Sequence, residues 1–359
     1  MKHRFSFCCG LMGLLLSCGL ARAQATFTVF ASGLENPRGL AFSPGGVLYV
    51  AEAGRGGSLS TTSDQCQQVP FPIGPYTGGY TSRISKFDST GARTTVADNL
   101  PSDKTNPVSG GFLSGVADLV FLGNRLYALT AAGGCSHGLL NTVNGVFKVE
   151  DNGTLSLIAN LSAYQQTHMV AHPEPDDFEP DGTWFSMVRD GDAMVAVEPN
   201  HGEIDKISAK GDITRLVDVS ATQGHIVPTS IVAHNGEYYF GNLSTFPIVP
   251  GSSKVYKLNP RTGEITVFAT GFSTIEGVDF DQHDNLYVLE SMTNPGFPPG
   301  QAGSGKIVRV NRSGSKDTVL TGLSYPTAMM FGPDGKLYVS NLGFGAPPGA
   351  GQILKVDVQ

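Results

Sequence analysis

Along most of this chain, short runs of alternating apolar and polar residues are broken by Gly, Pro, Asn or Asp, a two-residue period that predicts brief, half-buried β-strands. One strand signature recurs six times, a small or polar residue followed by β-branched or apolar residues around a basic one. The copies are Ser82-Arg83-Ile84-Ser85-Lys86-Phe87-Asp88, Gly145-Val146-Phe147-Lys148-Val149, Gly202-Glu203-Ile204-Asp205-Lys206-Ile207, Ser253-Lys254-Val255-Tyr256-Lys257-Leu258-Asn259, Gly305-Lys306-Ile307-Val308-Arg309-Val310-Asn311 and Gly351-Gln352-Ile353-Leu354-Lys355-Val356-Asp357. Their basic residues recur at intervals of 46 to 62 residues, the period of a β-propeller blade.

Each copy follows a second strand rich in residues that favour pleated surfaces: Leu48-Tyr49-Val50, Leu126-Tyr127-Ala128, Met194-Val195-Ala196, Tyr238-Tyr239-Phe240, Leu286-Tyr287-Val288 and Leu337-Tyr338-Val339. Innermost strands precede these, starting at Gly39, Asp118, Phe185, Ser230, Gly277 and Ala328, and are joined to them by hairpin turns such as Asn235-Gly236 and Pro333-Asp334-Gly335. A fourth strand closes five of the blades; the sixth runs out at Gln359. The segment Thr26-Phe27-Thr28-Val29-Phe30-Ala31 matches the fourth strand Ile265-Thr266-Val267-Phe268-Ala269, so it supplies the missing strand and hides an exposed edge. The expected fold is all-β, a six-bladed β-propeller closed by its N-terminal strand, with one domain over residues 26–359.

Residues 1–25 read as an export signal: Lys2, His3 and Arg4 precede an apolar run from Phe5 to Leu20, followed by Ala21, Ala23 and Ala25 at A-x-A cleavage positions. The run is too short for a membrane span. Cleavage after Ala23 or Ala25 makes the protein secreted or periplasmic, whereas a lipobox reading of Leu15-Leu16-Ser17-Cys18-Gly19 would anchor it by a lipid on Cys18. The chain has 24 basic and 31 acidic residues and a formal charge of −7, and loss of Lys2, Arg4 and Arg22 makes it about −10, which argues against nucleic acid as a partner. Only Cys66 and Cys135 remain after cleavage, and they fall in equivalent loops of adjacent blades, where an oxidising compartment favours a disulfide.

The long insertions all open on one face of the ring, the face of the connections between second and third strands and between blades. They include 53–81, 131–144 and 291–304, with crossovers 101–114, 163–181 and 221–227; Phe246-Pro247 and Asn294-Pro295 begin apolar, Pro-stiffened loops there. Two registers point toward the channel mouth. After the second strands stand Glu52, Thr130, Glu198, Asn242, Glu290 and Asn341; leading into the inner strands stand Arg38, Ala117, Thr183, Thr229, Glu276 and Thr327. Converging oxygens of Glu52, Asn242, Glu276 and Glu290 suit Ca²⁺ or another divalent cation, and paired carboxylates suit general-base chemistry. The competing expectation is that these side chains cap turns between strands. The histidines are scattered and form no motif.

The segments Gly33-Leu34-Glu35-Asn36-Pro37-Arg38-Gly39-Leu40-Ala41-Phe42, Val50-Ala51-Glu52-Ala53-Gly54-Arg55-Gly56-Gly57, Val227-Pro228-Thr229-Ser230 and Asn242-Leu243-Ser244-Thr245-Phe246-Pro247 resemble the ScyD/ScyE family of exported, NHL-like propellers over nearly the whole mature chain. That resemblance implies fold and export, with a link to extracytoplasmic biosynthesis of scytonemin-type metabolites, and brings no catalytic residues with it. Gluconolactonase-like and paraoxonase-like hydrolases share the architecture and hold a metal with Glu, Asn and Asp, a set that Glu52, Glu198, Asn242, Glu276, Glu290 and Asn341 could imitate. Two functions therefore stand from the sequence: a binding or scaffold propeller taking a protein, glycan or small aromatic ligand on its loop face, or a divalent-metal lactonase or esterase.

Overall fold

The computed structural model describes residues 24–293 and 302–358; all but the last two residues of the expected export signal, and the loop begun by Asn294, lie outside the described residues. Six antiparallel sheets form the ring. Blade 1 holds Pro37–Phe42, Leu48–Glu52, Thr77–Phe87, Arg93–Lys104 and a short fifth strand, Leu113–Ser114. Blade 2 is Val116–Leu122, Arg125–Thr130, Gly145–Val149 and Leu155–Asn160. Blade 3 is Ser186–Asp190, Ala193–Glu198, Glu203–Ser208 and Ile213–Asp218. Blade 4 is Pro228–His234, Glu237–Asn242, Ser253–Leu258 and Ile265–Phe272. Blade 5 is Ile275–Phe280, Leu286–Glu290, Gly305–Val310 and Lys316–Leu323.

Blade 6 takes Ala328–Phe331, Leu337–Asn341 and Gly351–Asp357 from one end of the chain and Thr26–Leu34 from the other. The closing pair runs from Thr26 opposite Asp357 to Leu34 opposite Gly351. Among the described residues no helix is long and apolar enough to cross a membrane.

Alternation along the strands puts one apolar face of each sheet against the next, and the core accordingly divides into six clusters, one per junction between blades. Trp184, Met187 and Ile207 of blade 3 meet Tyr127, Leu129 and Val146 of blade 2 in one of them. In the cluster that closes the ring, Ala31 and Leu34 of the first strand join Leu40, Val50 and Phe87 of blade 1 with Tyr338 and Ile353 of blade 6. The hairpins obey their turn chemistry: Asn235 and Gly236 sit at φ 51° and 78°, the pair of left-handed residues that a type I′ turn requires.

Blade 1 departs from the expected pattern. Its third and fourth strands continue past the other blades' limits, with Thr77 opposite Lys104 and Gly79 opposite Ser102, because the 53–76 insertion returns as a strand extension rather than as a free loop. The crossovers after blades 2 and 3 contain short helices, Leu161–Thr167 and Val219–Gln223, started by the side chains of Asn160 and Asp218, each accepting a backbone N–H from the first turn.

Candidate functional site

The side chains that follow the second strands turn away from the channel. Glu52 accepts the backbone N–H of Glu35 at 2.7 Å and the Ser85 hydroxyl at 2.5 Å, and pairs with Arg93 at 3.0 Å. Glu198 accepts the N–H groups of Thr183 at 3.0 Å and His201 at 2.5 Å. Glu290 accepts from Ser273 N–H at 2.7 Å and pairs with Lys306 at 3.0 Å. Asn242 accepts Lys254 N–H at 2.7 Å while its amide donates to the Ile226 carbonyl at 2.9 Å, and Asn341 accepts Ser324 N–H at 3.0 Å.

These bonds have a common cause. The crossover entering an inner strand puts Asn36, Val227, Thr274 or Tyr325 at a φ of 43° to 56°, a left-handed conformation costly for side-chain-bearing residues. The acid or amide of the second strand pins each such turn, so this register belongs to the scaffold. The structure does not support the cation set of Glu52, Asn242, Glu276 and Glu290: Glu52, Asn242 and Glu290 each give one oxygen to a backbone N–H, the two acids also pair with Arg93 and Lys306, and only Glu276 lines the cavity. Among the described residues no group of three or more His, Cys, Asp or Glu is placed to hold a metal ion.

The register leading into the inner strands divides. Thr229 and Thr327 stitch neighbouring blades, donating to the carbonyls of Ile275 at 2.5 Å and Pro37 at 2.6 Å. Arg38 and Glu276 instead face the centre of the ring. The Arg38 guanidinium donates to the Leu113 carbonyl; burial lowers its pKa, against the pull of Glu276 and Asp103. Burial raises Glu276 to about 8 even with Arg38 opposing, and its Oε2 is buried without a donor.

Both residues line a central cavity of about 800 Å³ that the inner strands of all six blades wall in. On the loop face its lining includes Ile73, Tyr76, Phe112, Leu243, Phe246, Met292 and Phe344, and it extends past Pro44, Gly123 and Pro333 at the hairpin face. Two further carboxylates in the wall are ties between blades. Asp118 accepts Met187 N–H at 2.7 Å and Asp279 accepts Phe331 N–H at 2.8 Å, while burial raises them to about 7 and about 6.

Loops that carry no repeat place Tyr76, Asp177 and Glu179 in the wall and a buried polar network around His137 and Asp103 next to them. Tyr76, from the blade 1 insertion, donates its hydroxyl to Glu179 of the crossover into blade 3. His137, at the end of a short 3₁₀ turn in the blade 2 insertion, is hydrogen-bonded through Nδ1 to Asp103 and through Nε2 to the Gly182 carbonyl at 3.0 Å. Burial works against a charge on His137, but Asp103, Glu179 and Asp181 outweigh it and raise its pKa to about 9. Burial is also the main force on Glu179, raised to about 8 against the opposing His137, and on Asp177, raised to about 7 with help from Glu198 and Glu174.

Cys66 and Cys135 are bonded, with Cα atoms 6.2 Å apart, and tie together the two insertions that supply Tyr76 and His137. The expected disulfide therefore braces a site that the sequence did not disclose. Its proximity to His137, two residues on, was the available signal.

No protein-family model matches the sequence, and no curated protein is similar to it. Solved structures are similar in fold. A protein of unknown function from Bacteroides thetaiotaomicron aligns with a TM-score of 0.58 and 12% identity over 94% of this chain and 76% of its own. A putative oxidoreductase of glucose dehydrogenase type from Thermus thermophilus gives 0.57 and 17% over 93% of this chain and 100% of its own. A gluconolactonase from Xanthomonas campestris gives 0.53 and 10% over 93% and 90%. At such identities the likeness is one of architecture, and different chemistries share it.

Proposed function

We propose that the protein is an exported small-molecule-binding propeller whose ligand occupies the central cavity. The observation that carries this reading is the cavity itself: about 800 Å³, mostly apolar, walled by all six blades, with a few buried ionisable groups converging on it. Small-molecule sites have this size and this mixture of apolar wall and sparse polar anchors. The alternative of a metal-dependent lactonase or esterase finds no support in the donor set, since Glu52, Asn242 and Glu290 each use one oxygen to hold a backbone turn and none of the three lines the cavity. The ScyD/ScyE resemblance is compatible with the handling of an extracytoplasmic metabolite.

A thermal-shift screen of a chemically diverse small-molecule library tests the proposal when run in parallel on Ala328→Phe, which puts a ring into the channel from an inner strand. Compounds that stabilise the wild type and lose their effect in Ala328→Phe support the reading; hits indifferent to the substitution, or none at all, contradict it.

A further inference from the structure

The cavity holds more unsatisfied acid than the protein answers by itself. Glu179 Oε2 and Asp177 Oδ1, on the wall formed by the crossover into blade 3, are buried and accept no hydrogen bond, as is Glu276 Oε2. Glu179 is almost wholly buried, and Glu276 is 7% exposed. Such oxygens cost about 1–3 kcal/mol each when left without a donor.

The cations nearby are already occupied. Arg38 donates to the Leu113 carbonyl and faces Glu276. His137 is 4.0 Å from Glu179 but is committed to Asp103 and the Gly182 carbonyl. Asp177 is influenced by burial and by the acids Glu198 and Glu174, and its sole counterweight is the Asn200 amide at 2.6 Å. The cavity lining also includes the aromatic residues Tyr76, Phe112, Trp184, Phe246 and Phe344, of which Tyr76 is hydrogen-bonded to Glu179.

Unanswered carboxyl oxygens among aromatic rings complement one ligand chemistry in particular. An ammonium group donates several charge-assisted hydrogen bonds at once, and aromatic faces attract the same charge. Burial keeps a proton on Glu179 when no ligand is bound. An entering ammonium brings the missing counter-charge and donors, so the acid ionises and releases that proton to solvent as the amine binds, whereas a neutral ligand supplies no charge and an anion would oppose the ionisation. We propose that the cavity takes an organic amine in its cationic form, with the ammonium group held by Asp177 and Glu179 and an apolar body lying along the aromatic wall. This inference rests on the reading of the cavity as a ligand site.

Trp184 is the single tryptophan of the chain and lines the cavity, so its emission reports occupancy. The test is titration of the mature protein at neutral pH with 2-phenylethylamine, 2-phenylethanol and 3-phenylpropanoate, probes of similar size and opposite charge. The expected result is that the amine binds at least about tenfold more tightly than the alcohol and the carboxylate more weakly than either. In Asp177→Asn combined with Glu179→Gln the advantage of the amine over the alcohol should disappear. Equal or tighter binding of the alcohol by the wild-type protein would overturn the amine assignment and leave the cavity reading standing. Failure of all three probes to bind would overturn both, and the wild-type comparison decides the matter even if the double variant does not fold.

Discussion

Asp118, in the innermost strand of blade 2, accepts the backbone N–H of Met187 in blade 3 at 2.7 Å and the Ser186 hydroxyl at 3.1 Å. It can do so because Gly39 of blade 1 leaves the space: a Cβ there would lie 1.9 Å from Asp118 Oδ1. One carboxylate thus couples three blades at the channel wall. Asp118→Ala should destabilise the protein by about 1–3 kcal/mol through the buried donors it strands, and Asp118→Asn, which keeps an acceptor, should cost less. Gly39→Ala should cost about 1–3 kcal/mol by overpacking against the same group. Chemical denaturation checks all three, and an Asn variant as unstable as the Ala variant would contradict the assignment.

The staple at Glu52 yields a second expectation. Glu52→Ala leaves the Glu35 N–H without its acceptor and takes from Arg93 its carboxylate partner, leaving it Ser85 and the Gly33 carbonyl, a loss of about 2–4 kcal/mol in denaturant unfolding. Because the carboxylate faces the crossover and not the channel, the affinity of cavity ligands at a temperature where the variant is folded should change less than about twofold. A large loss of affinity with little loss of stability would return Glu52 to the site.

The buried acids and His137 give stability a definite pH slope. Glu276 and Glu179 are raised to about 8 from 4.5, and His137 to about 9 from 6.5. Each holds a proton more tightly folded than unfolded, so its contribution is present below the unfolded pKa and is lost as pH rises through the folded one. His201, lowered to about 4 by burial, acts in the opposite sense but only below its unfolded value of 6.5. The melting temperature should therefore fall steadily between pH 6.5 and 8.5, and Glu276→Gln should flatten the slope. A melting temperature that rises over that interval would refute the protonation assigned to these groups.

The disulfide joins residues 69 apart in the chain, for which the loss of unfolded-state entropy corresponds to about 4 kcal/mol. Replacing Cys66 and Cys135 together by Ser should lower stability by that amount in equilibrium denaturation. Far-ultraviolet circular dichroism should be unchanged, since the bond links insertions and leaves the blade ladders intact. A change in the strand signal would mean that the ring itself depends on it.

The ring was legible in the sequence because its information is local. Each blade repeats a short alternation around Lys86, Lys148, Lys206, Lys257, Arg309 or Lys355, and the period and the orphan strand at Thr26 dictate the closure. Of the candidate site, the residues read from the repeat that line the cavity are Arg38 and Glu276. Alternation cannot tell whether a carboxylate at a strand end points into a channel or back to a crossover N–H. The turns that capture Glu52 and Glu290 are marked by left-handed Asn36 and Thr274, which composition does not flag. Tyr76, Asp103, His137 and Glu179 come from four segments, and tertiary structure alone makes them neighbours.

The central claim is that the cavity is the binding site, and Trp184 emission in wild type and Ala328→Phe tests it most directly. Titration with 2-phenylethylamine and 2-phenylethanol should give a saturable change for at least one probe in the wild type, lost in Ala328→Phe while that variant melts cooperatively. No response in the wild type, or the same response in both proteins, would contradict the account.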